Sequence, residues 1–286
     1  MRLTHPERVV FQDRGVTKGD VADYYVAVMP WLLPEIINRP LSVVRCSKGT
    51  DSACFFQRHH TAGLSLIDVV QLREDSGDMG DYLVVRNAES VMELVQFNTI
   101  EFHPWGATAE SPDLADRMVF DLDPGDGVGW PALVRAAIEI RDRLSSRSLR
   151  SFLRTSGGKG LHVVVPLLPG CDWARVKPFA REVATAMAAE APDRYVSSAP
   201  KHLRSGRIFI DYLRNGRSAT SIASFSLRAR SGAPVAAPLA WDELDPRRRV
   251  GFDIETMPER LRRIRNDPWE GIDDIRQALP EGTKVA

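Results

Sequence analysis

The chain has 286 residues, 43% of them apolar, and its 38 lysine and arginine residues balance its 38 aspartate and glutamate residues. This length and composition predict one large globular domain, or two lobes, around a full hydrophobic core. The longest apolar stretch is interrupted by Pro30, Pro34 and Glu35, and the N-terminus lacks an apolar signal-peptide core, which argues against membrane insertion and secretion. We therefore expect a cytoplasmic protein with no membrane partner.

The cysteines suggest no covalent cross-link. The chain has three, Cys46, Cys54 and Cys171, which are too few and too irregularly spaced for a disulfide framework or a zinc site. We therefore expect free thiols.

The zero net charge hides basic segments in the second half of the chain. Residues 143–171 include no acid, and residues 194–230 include eight lysines or arginines but a single acid, Asp211. A lone carboxylate in so basic a stretch favours a metal or phosphate site, although a merely basic surface would give the same pattern.

Four positions carry the signals of helix starts: Thr17, Pro131, Asp172 and Pro258. Apolar residues at helical spacing follow the first three. Pro30 and Pro34 are expected to break or kink the first helix.

Apolar runs between these helices predict strands. They are residues 41–45, 54–57, 82–86, 119–123, 152–155, 161–165 and 208–213. Helices and strands are therefore mixed, and we expect an α+β (mixed α/β) fold. The stretch 110–116 is the expected boundary between an N-terminal lobe, residues 1–110, and a second lobe, residues 111–286.

Asp121 and Asp123 follow an apolar run, and strand alternation places both carboxylates on one face. Two residues of strand rise, ~7 Å between Cα atoms, let the oxygens converge on one divalent ion, or on two ions roughly 3.5 to 4 Å apart. The pattern alone is weak, because two acids that face water before a proline turn would look the same.

A glycine-rich turn, residues 156–162, joins two predicted strands. Its glycines let backbone N–H groups approach an anion, and Ser156, Lys159 and His162 add groups that bind phosphate oxygens. The turn lacks the spacing and the following helix of a Walker loop. A structural hairpin with a solvent-facing lysine is the alternative.

Asp211 lies in an apolar run that ends at Arg214. A carboxylate on a buried strand needs a partner. That partner is either a metal shared with Asp121 and Asp123 or a neighbouring arginine.

Arg228 and Arg230 are expected on one face of a strand at residues 226–230, where paired guanidinium groups suit a triphosphate or solvate a surface. Together with three strand carboxylates and the glycine-rich turn, they complete the parts required for nucleotidyl transfer with two metal ions. One ion would activate a 3′-hydroxyl, and the other would hold the triphosphate and the leaving pyrophosphate.

These motifs, in this order, resemble the polymerase domain of bacterial ligase D, a branch of the archaeo-eukaryotic primase superfamily. The resemblance rests on GVTKGD at 15–20, RPL at 39–41, CFFQ at 54–57, HPW at 103–105, VFDLDP at 119–124, TSGGKGLHV at 155–163, FIDYLRN at 209–215, SLRAR at 226–230, GAPV at 232–235 and PLAWDEL at 238–244. Each motif is unspecific, but the combination is highly specific.

The resemblance implies that Asp121, Asp123 and Asp211 bind two manganese or magnesium ions. It implies nucleotide contacts for His103, Ser156, Lys159, His162, Arg214, Arg228 and Arg230. It also implies a primase-like core with an RRM-like catalytic sheet, a second β-sheet and flanking helices, in which the N-terminal lobe binds DNA ends.

Contacts with broken DNA are implied as well. Phe55 and Phe56 match aromatic residues that pack against template bases, whereas the residues alone would favour core packing; base stacking is worth ~1 to 3 kcal/mol. His5, Arg8 and Lys18 match positions that bind a 5′-phosphate. Lys18 matches well, but His5 and Arg8 stand where the family often has Asn and Lys. A surface lysine at a helix start is the alternative for Lys18.

We therefore expect a DNA-dependent nucleotidyltransferase that adds nucleotides, ribonucleotides by family preference, to primer 3′ ends at gaps or broken ends. Three alternatives stay open: a primase-polymerase that starts chains without a primer, a non-catalytic DNA-end binding module, and a metal nuclease. The sequence contains no adenylating lysine motif and no histidine-rich nuclease segment. A free-standing enzyme or an excised domain is expected, with a DNA ligase and an end-bridging protein as partners in trans.

Overall fold

Two large β-sheets organise the computed structural model, which describes residues 3–74 and 76–280. The helices are α1 Lys18–Ile36, α2 Ala88–Gln96, α3 Trp130–Ser145, α4 Trp173–Glu190 and α5 Thr256–Arg263. The strands are β1 Val9–Phe11, β2 Val16–Thr17, β3 Pro40–Arg45, β4 Phe55–Gln57, β5 Asp68–Arg73, β6 Met79–Val84, β7 Thr99–Pro104, β8 Leu114–Pro124, β9 Phe152–Thr155, β10 Leu161–Asp172, β11 Tyr195–Val196, β12 Ile208–Asp211, β13 Pro234–Val235, β14 Pro238–Leu239 and β15 Phe252–Asp253. None of the helices in these ranges is long and apolar enough to cross a membrane.

The larger sheet has six strands in the order β11-β12-β8-β10-β9-β14, and only its β11–β12 pair is parallel. Its apolar face, which includes Phe120, Leu122 and Val163, packs against apolar residues of α3 and α4. Strand alternation turns Asp121 and Asp123 to the opposite face. This sheet therefore presents its polar groups on the face away from the helices.

The second sheet has five strands, with β3 paired to β4, β6 and β7, and β5 paired to β6. It encloses a core with α1 that includes Tyr25, Leu32 and Phe102. Residues 223–237 return to this core late in the chain, so contacts of the N-terminal sheet extend well beyond residue 110. The division into lobes at 110 stays a prediction.

The first helix begins as expected but does not break. The Thr17 side chain accepts a hydrogen bond from the backbone N–H of Asp20, and the Asp20 carboxylate accepts one from the backbone N–H of Thr17. Helix α1 then continues through Pro30 and Pro34, so the predicted break is wrong. Both prolines lie on the exposed face with Val26, where water can satisfy carbonyls that lose a donor, while the buried face holds the helix in place.

The predicted strand at 226–230 is also wrong. Phe225 adopts a positive φ of 65°, which interrupts the pleat, and beyond it a single bridge pairs Leu227 with Val235. The backbone N–H of Arg228 instead donates to the carbonyl of Pro234 at 2.8 Å. Arg228 and Arg230 therefore project from an irregular loop.

Cys46 and Cys54 form a disulfide, so the expectation of free thiols is wrong for this pair. Arg45, at the end of β3, pairs directly with Phe55, at the start of β4. This register sets the two flanking cysteines side by side, with their Cα atoms 4.4 Å apart, a relation that sequence spacing does not reveal. Cys171 is the free thiol of the described residues.

Replacing both Cys46 and Cys54 with serine is expected to lower the free energy of unfolding by about 2 to 3 kcal/mol, because the cross-link no longer restricts the unfolded chain. Urea denaturation measures this loss, and Cys171→Ser is the matched control that should leave the midpoint nearly unchanged. Thiol titration of the unfolded, unreduced protein should detect Cys171 alone; three reactive thiols would contradict the disulfide.

Candidate active site

Three neighbouring strands bring the predicted acids together. Asp121 on β8 stands directly opposite Asp211 on β12 and, on its other side, opposite His162 on β10. Arg154 on β9 stands opposite His162 and continues the row. Asp123 lies two residues beyond Asp121 on the same face, so three carboxylates cluster at one edge of this row.

The acids are at present balanced by cationic side chains. Arg214 Nε lies 3.3 Å from Asp211 Oδ2 and 3.7 Å from Asp121 Oδ2, and Arg204 Nη1 lies 3.6 Å from Asp123 Oδ2. Across residues 3–74 and 76–280, no three acidic, histidine or cysteine side chains already converge as a metal cage. A cation bound by the acids would compete with these guanidinium groups for the same oxygens.

The acids nonetheless fit divalent metal ions. Asp121 Oδ1 is buried without a hydrogen-bond partner among residues 3–74 and 76–280, and His162 Nε2 lies 3.2 Å from it. Burial, together with the charges of Asp121 and Asp211, raises the pKa of Asp123 to about 6, and burial also raises the pKa of Asp211. Crowded carboxylates that resist ionisation are stabilised by a bound divalent cation.

Arg154 sets the orientation of the His162 ring. Its Nε donates to His162 Nδ1 at 3.2 Å, and because a guanidinium has no acceptor, Nδ1 must carry the lone pair. His162 Nε2 therefore holds the ring proton and points it toward Asp121. Burial outweighs the attraction of Asp121 and lowers the pKa of His162, which keeps the ring a neutral donor. Arg154 Nη1 in turn lies 3.7 Å from Glu35.

The glycine-rich turn is a tight hairpin between β9 and β10. The backbone N–H of Ser156 donates to the carbonyl of Gly160 at 3.1 Å, and the N–H of Gly160 donates to Ser156 Oγ at 3.2 Å. Gly157 has a φ of +66°, and a Cβ there would lie 2.6 Å from Arg228 Cγ. Glycine is thus required at 157, and Lys159 is exposed at the tip of the hairpin.

These groups line a cleft of about 330 Å³. Its charged and imidazole-bearing side chains are Asp121, Asp123, His103, His162, Lys159, Arg204, Arg214, Arg228 and Arg230, and Ser156 lies beside them. The structure therefore brings all seven residues predicted to contact nucleotide to one cavity. Five cations against two carboxylates make the wall basic, which suits a polyanionic ligand such as a triphosphate.

Three residues near the cleft were missed by sequence reasoning. Arg204 lies in the basic stretch 194–230 and Arg154 in the acid-free stretch 143–171, but neither belongs to a motif. Glu101 alternates with the apolar residues Ile100 and Phe102, a pattern that places it on one face of a strand with His103 and could have drawn attention to it.

Asn215 holds the loop that carries Arg214. It is 1% exposed, and β12 ends four residues before it. Its Oδ1 accepts from the backbone N–H of Val119 at 2.7 Å, and its Nδ2 donates to the carbonyls of Val119 at 2.7 Å and Tyr212 at 3.0 Å. Because β12 ends at Asp211, β8 has no β12 residue to pair with at Val119, and the Asn215 amide takes the place of that backbone partner.

Asn215→Ala is expected to lower the free energy of unfolding by about 2 to 3 kcal/mol, because the N–H and carbonyl of Val119 lose their partners in a buried place. Nucleotide incorporation should fall with it, since Arg214 loses its anchor. Urea denaturation and primer extension on the same sample measure the two effects. An unchanged unfolding midpoint would contradict the role of this amide in the sheet.

Phe55 and Phe56 are 45% and 48% exposed, which excludes the core-packing alternative. The Phe56 ring contacts the His103 ring edge-on, with centroids 5.5 Å apart, and the guanidinium of Arg45 lies 5.2 Å from the centroid of Phe55. Phe56 therefore borders the cleft, and Phe55, its exposed neighbour on β4, contacts Arg45. Stacking on template bases stays a prediction.

The residues predicted to bind a 5′-phosphate lie together at the start of α1. The carbonyl of Arg8 accepts from the backbone N–H of Lys18 at 2.8 Å, and the N–H of Arg8 donates to the carbonyl of His5 at 3.2 Å. Lys18 is 4% exposed, so the surface-lysine alternative is wrong. Its Nζ donates to the carbonyls of Thr4 at 3.0 Å and Gln96 at 2.8 Å, and burial lowers its pKa. Binding of a 5′-phosphate here stays a prediction.

A sheet that presents clustered carboxylates to a basic cleft is typical of metal-dependent enzymes that act on phosphate esters, a class that includes nucleotidyltransferases. The family described as LigD, primase-polymerase domain, matches residues 17–269. The chain belongs to this family.

Relatives and a solved structure support the assignment. The chain is 35% identical over 283 residues to the multifunctional non-homologous end joining protein LigD of Pseudomonas aeruginosa, a match that covers 98% of this chain and 34% of the relative. It is 33% identical over 258 residues to the protein of the same description from Mycolicibacterium smegmatis, covering 88% of this chain and 34% of the relative. The chain thus spans about a third of these curated relatives.

The polymerase domain of Mycobacterium tuberculosis Ligase D, solved in complex with DNA, superposes with a TM-score of 0.89 at 32% identity. The match covers 96% of this chain and 98% of that domain. The prediction of an α+β, primase-like fold is confirmed.

Proposed function

We propose that this protein adds nucleotides to primer 3′ ends at DNA gaps or broken ends, using two divalent metal ions, in repair by end joining. The observation that carries the proposal is the row of Asp211, Asp121 and His162 across three adjacent strands, from which Asp121, Asp123 and His162 line a basic cleft. The similarity to end-joining proteins and to a polymerase domain bound to DNA supports the kind of substrate.

Asp121, Asp123 and Asp211 would hold two manganese or magnesium ions. When bound, such ions lower the pKa of an attacking hydroxyl and neutralise charge on the phosphates. The orphaned Oδ1 of Asp121 and the raised pKa of Asp123 are the features that suit them.

The protein's own groups would bind and orient the triphosphate. Lys159, Arg228 and Arg230 line the cleft beside the glycine-rich hairpin and supply charge to the phosphate oxygens. The Nε2 proton of His162, held in place by Arg154, offers a neutral donor next to the acids. Arg214 and Arg204 also line the cleft, and they would be available to the same ligand where bound ions neutralise the carboxylates with which they pair.

Primer extension on a gapped duplex tests the proposal, with ribonucleotides and deoxyribonucleotides compared in manganese and in magnesium. The proposal predicts metal-dependent, template-directed incorporation. Gap binding without incorporation would favour the non-catalytic end-binding alternative. Products on unprimed single strands would favour the primase alternative, and DNA cleavage in place of extension would favour the nuclease.

The cluster of His5, Arg8 and Lys18 is proposed to bind a downstream 5′-phosphate. Gap filling should then be faster on a gap with a downstream 5′-phosphate than on one without it. Arg8→Ala should reduce this ratio of rates about tenfold, because one charge-assisted contact is lost. Incorporation on an open primer-template end serves as the internal control and should be unaffected. Equal stimulation by the phosphate in wild type and Arg8→Ala would contradict this role.

Partners in trans, a DNA ligase and an end-bridging protein, are proposed from the similarity to end-joining proteins. The effect of the two partners is measured as the amount of sealed DNA that forms when a ligase and an end-bridging protein are added to the gap-filling reaction.

A further inference from the structure

Glu101 joins the two sheets beside the cleft, and no motif in the sequence assigns it a role. The residue lies on β7 and is 5% exposed. Its Oε2 accepts hydrogen bonds from His103 Nε2 at 2.8 Å and Arg228 Nε at 3.0 Å, and its Oε1 accepts one from the backbone N–H of Ala229 at 2.8 Å. Every contact of this carboxylate thus comes from the cleft wall or the loop behind it.

Arg228 extends from Glu101 to the glycine-rich hairpin of the other sheet. Its Nη1 donates to the carbonyl of Ser156 at 2.5 Å, and its Cγ lies against Gly157, where any Cβ would collide with it. Among residues 3–74 and 76–280, Glu101 is the carboxylate that pairs with Arg228. The position of this guanidinium therefore depends on one buried acid.

His103 depends on the same acid. Its Nε2 is held by Glu101, and its ring packs edge-on against the exposed Phe56 ring. Burial opposes ionisation of Glu101, but the His103 hydrogen bond and the Arg228 charge outweigh it and lower its pKa to about 2. The carboxylate is therefore ionised throughout the neutral range.

We infer that Glu101 is a positioning residue for the incoming nucleotide, which fixes Arg228 and His103 on the cleft wall at the place where the two sheets meet. This inference rests on the proposed function and adds a residue to it. Glu101 contacts none of the three acids, so it acts on the nucleotide through its two partners.

Glutamine at this position cannot reproduce the arrangement. If the side-chain oxygen of the glutamine faced Arg228 and His103, its NH2 group would face the backbone N–H of Ala229. If the amide were reversed, the NH2 group would face the donors of Arg228 and His103. Either orientation sets donors against donors in a buried place. Aspartate keeps the charge but is one methylene shorter, so it cannot reach all three donors.

The test measures the Kd of a fluorescent ATP analogue with Mn²⁺ and, in primer extension, the KM for the nucleotide. Glu101→Gln and Glu101→Asp are both expected to weaken nucleotide binding by at least about tenfold, ~1.4 kcal/mol. The Kd for gapped DNA should stay within about twofold of wild type, a difference below ~0.5 kcal/mol. Two variants are used because the aspartate should fold even where the glutamine does not.

Glu93→Gln is the matched control, since Glu93 is also buried in this part of the fold and accepts from the backbone N–H groups of Ser65 and Leu66, away from the cleft. It should reduce stability without changing the nucleotide Kd. In a double-mutant cycle, Glu101→Gln should cause a smaller loss in the Arg228→Ala background than in wild type, because part of its effect passes through Arg228 and only the part through His103 remains.

Unchanged nucleotide affinity in both Glu101 variants, or full additivity with Arg228→Ala, would overturn the inference. Wild-type incorporation is the reference. If the wild type binds nucleotide but incorporates none, the proposed function fails, whereas the Kd comparison still tests Glu101.

Discussion

Asp121→Asn is expected to reduce metal-dependent nucleotide incorporation by about 100-fold or more, the scale of losing a central charge-stabilising group in an active site. Asp121 is the middle residue of the row, flanked by Asp211 and His162, and its buried Oδ1 has no hydrogen-bond partner in the described part of the chain. Asparagine has similar volume but offers no negative charge to a divalent ion. Steady-state primer extension on a gapped duplex measures the effect.

Asp116→Asn is the matched control for this loss. Asp116 lies on the same strand but does not line the cleft. Its Oδ1 accepts from Arg39 Nη1 at 2.8 Å, and its Oδ2 accepts from Arg39 Nη2 at 2.6 Å. Its replacement should reduce stability and leave incorporation within a few-fold of wild type, provided the assay is run well below the unfolding temperature. Similar losses in both variants would show that Asp121 acts through folding alone.

The second large effect concerns pH and metal binding at Asp123. Burial, Asp121 and Asp211 raise the pKa of Asp123 from 3.8 to about 6 in the folded state, so the folded protein binds more protons than the unfolded chain between these values. Its contribution to stability is therefore complete below pH 4 and is lost as pH rises through 6. Asp123→Asn should raise the unfolding temperature of the metal-free protein at pH 7.5, and in the presence of metal it should abolish incorporation.

Bound manganese should offset the loss of stability that ionised Asp123 causes at pH 7.5. At a concentration of 100 times its Kd, an ion that binds only the folded state adds ~2.7 kcal/mol of stability. The stabilisation should be large at pH 7.5 and small at pH 5, because protons compete with the ion for Asp123. Thermal unfolding with and without Mn²⁺ at the two pH values measures it, with Asp123→Asn as the control. Equal stabilisation of wild type and variant would place the ion elsewhere.

Local patterns in the sequence predicted part of the site well. Alternation along 119–123 placed Asp121 and Asp123 on one face, and glycine spacing predicted the hairpin at 156–162; both features depend on residues close in sequence. The pairing of Asp121 with Asp211 depends on strand register across 90 residues, which no local pattern encodes. The residues alone marked Asp211 as a candidate but left an arginine as its alternative partner, and the family resemblance decided for a shared metal.

The errors share this physical origin. Pro30 and Pro34 do not break α1 because both fall on its exposed face, and the Cys46–Cys54 bridge forms because β3 and β4 pair in one register. Glu101 was missed because its importance lies in contacts with Arg228 and Ala229, more than 120 residues away. Tertiary packing, which the sequence does not display, decides all three.

Anomalous diffraction from crystals grown with Mn²⁺ and a non-hydrolysable nucleoside triphosphate tests the central claim most directly. The account predicts two manganese peaks roughly 3.5 to 4 Å apart among the carboxylates of Asp121, Asp123 and Asp211, with the triphosphate against Lys159 and Arg228. Nucleotide density in the cleft without manganese at these acids would contradict it.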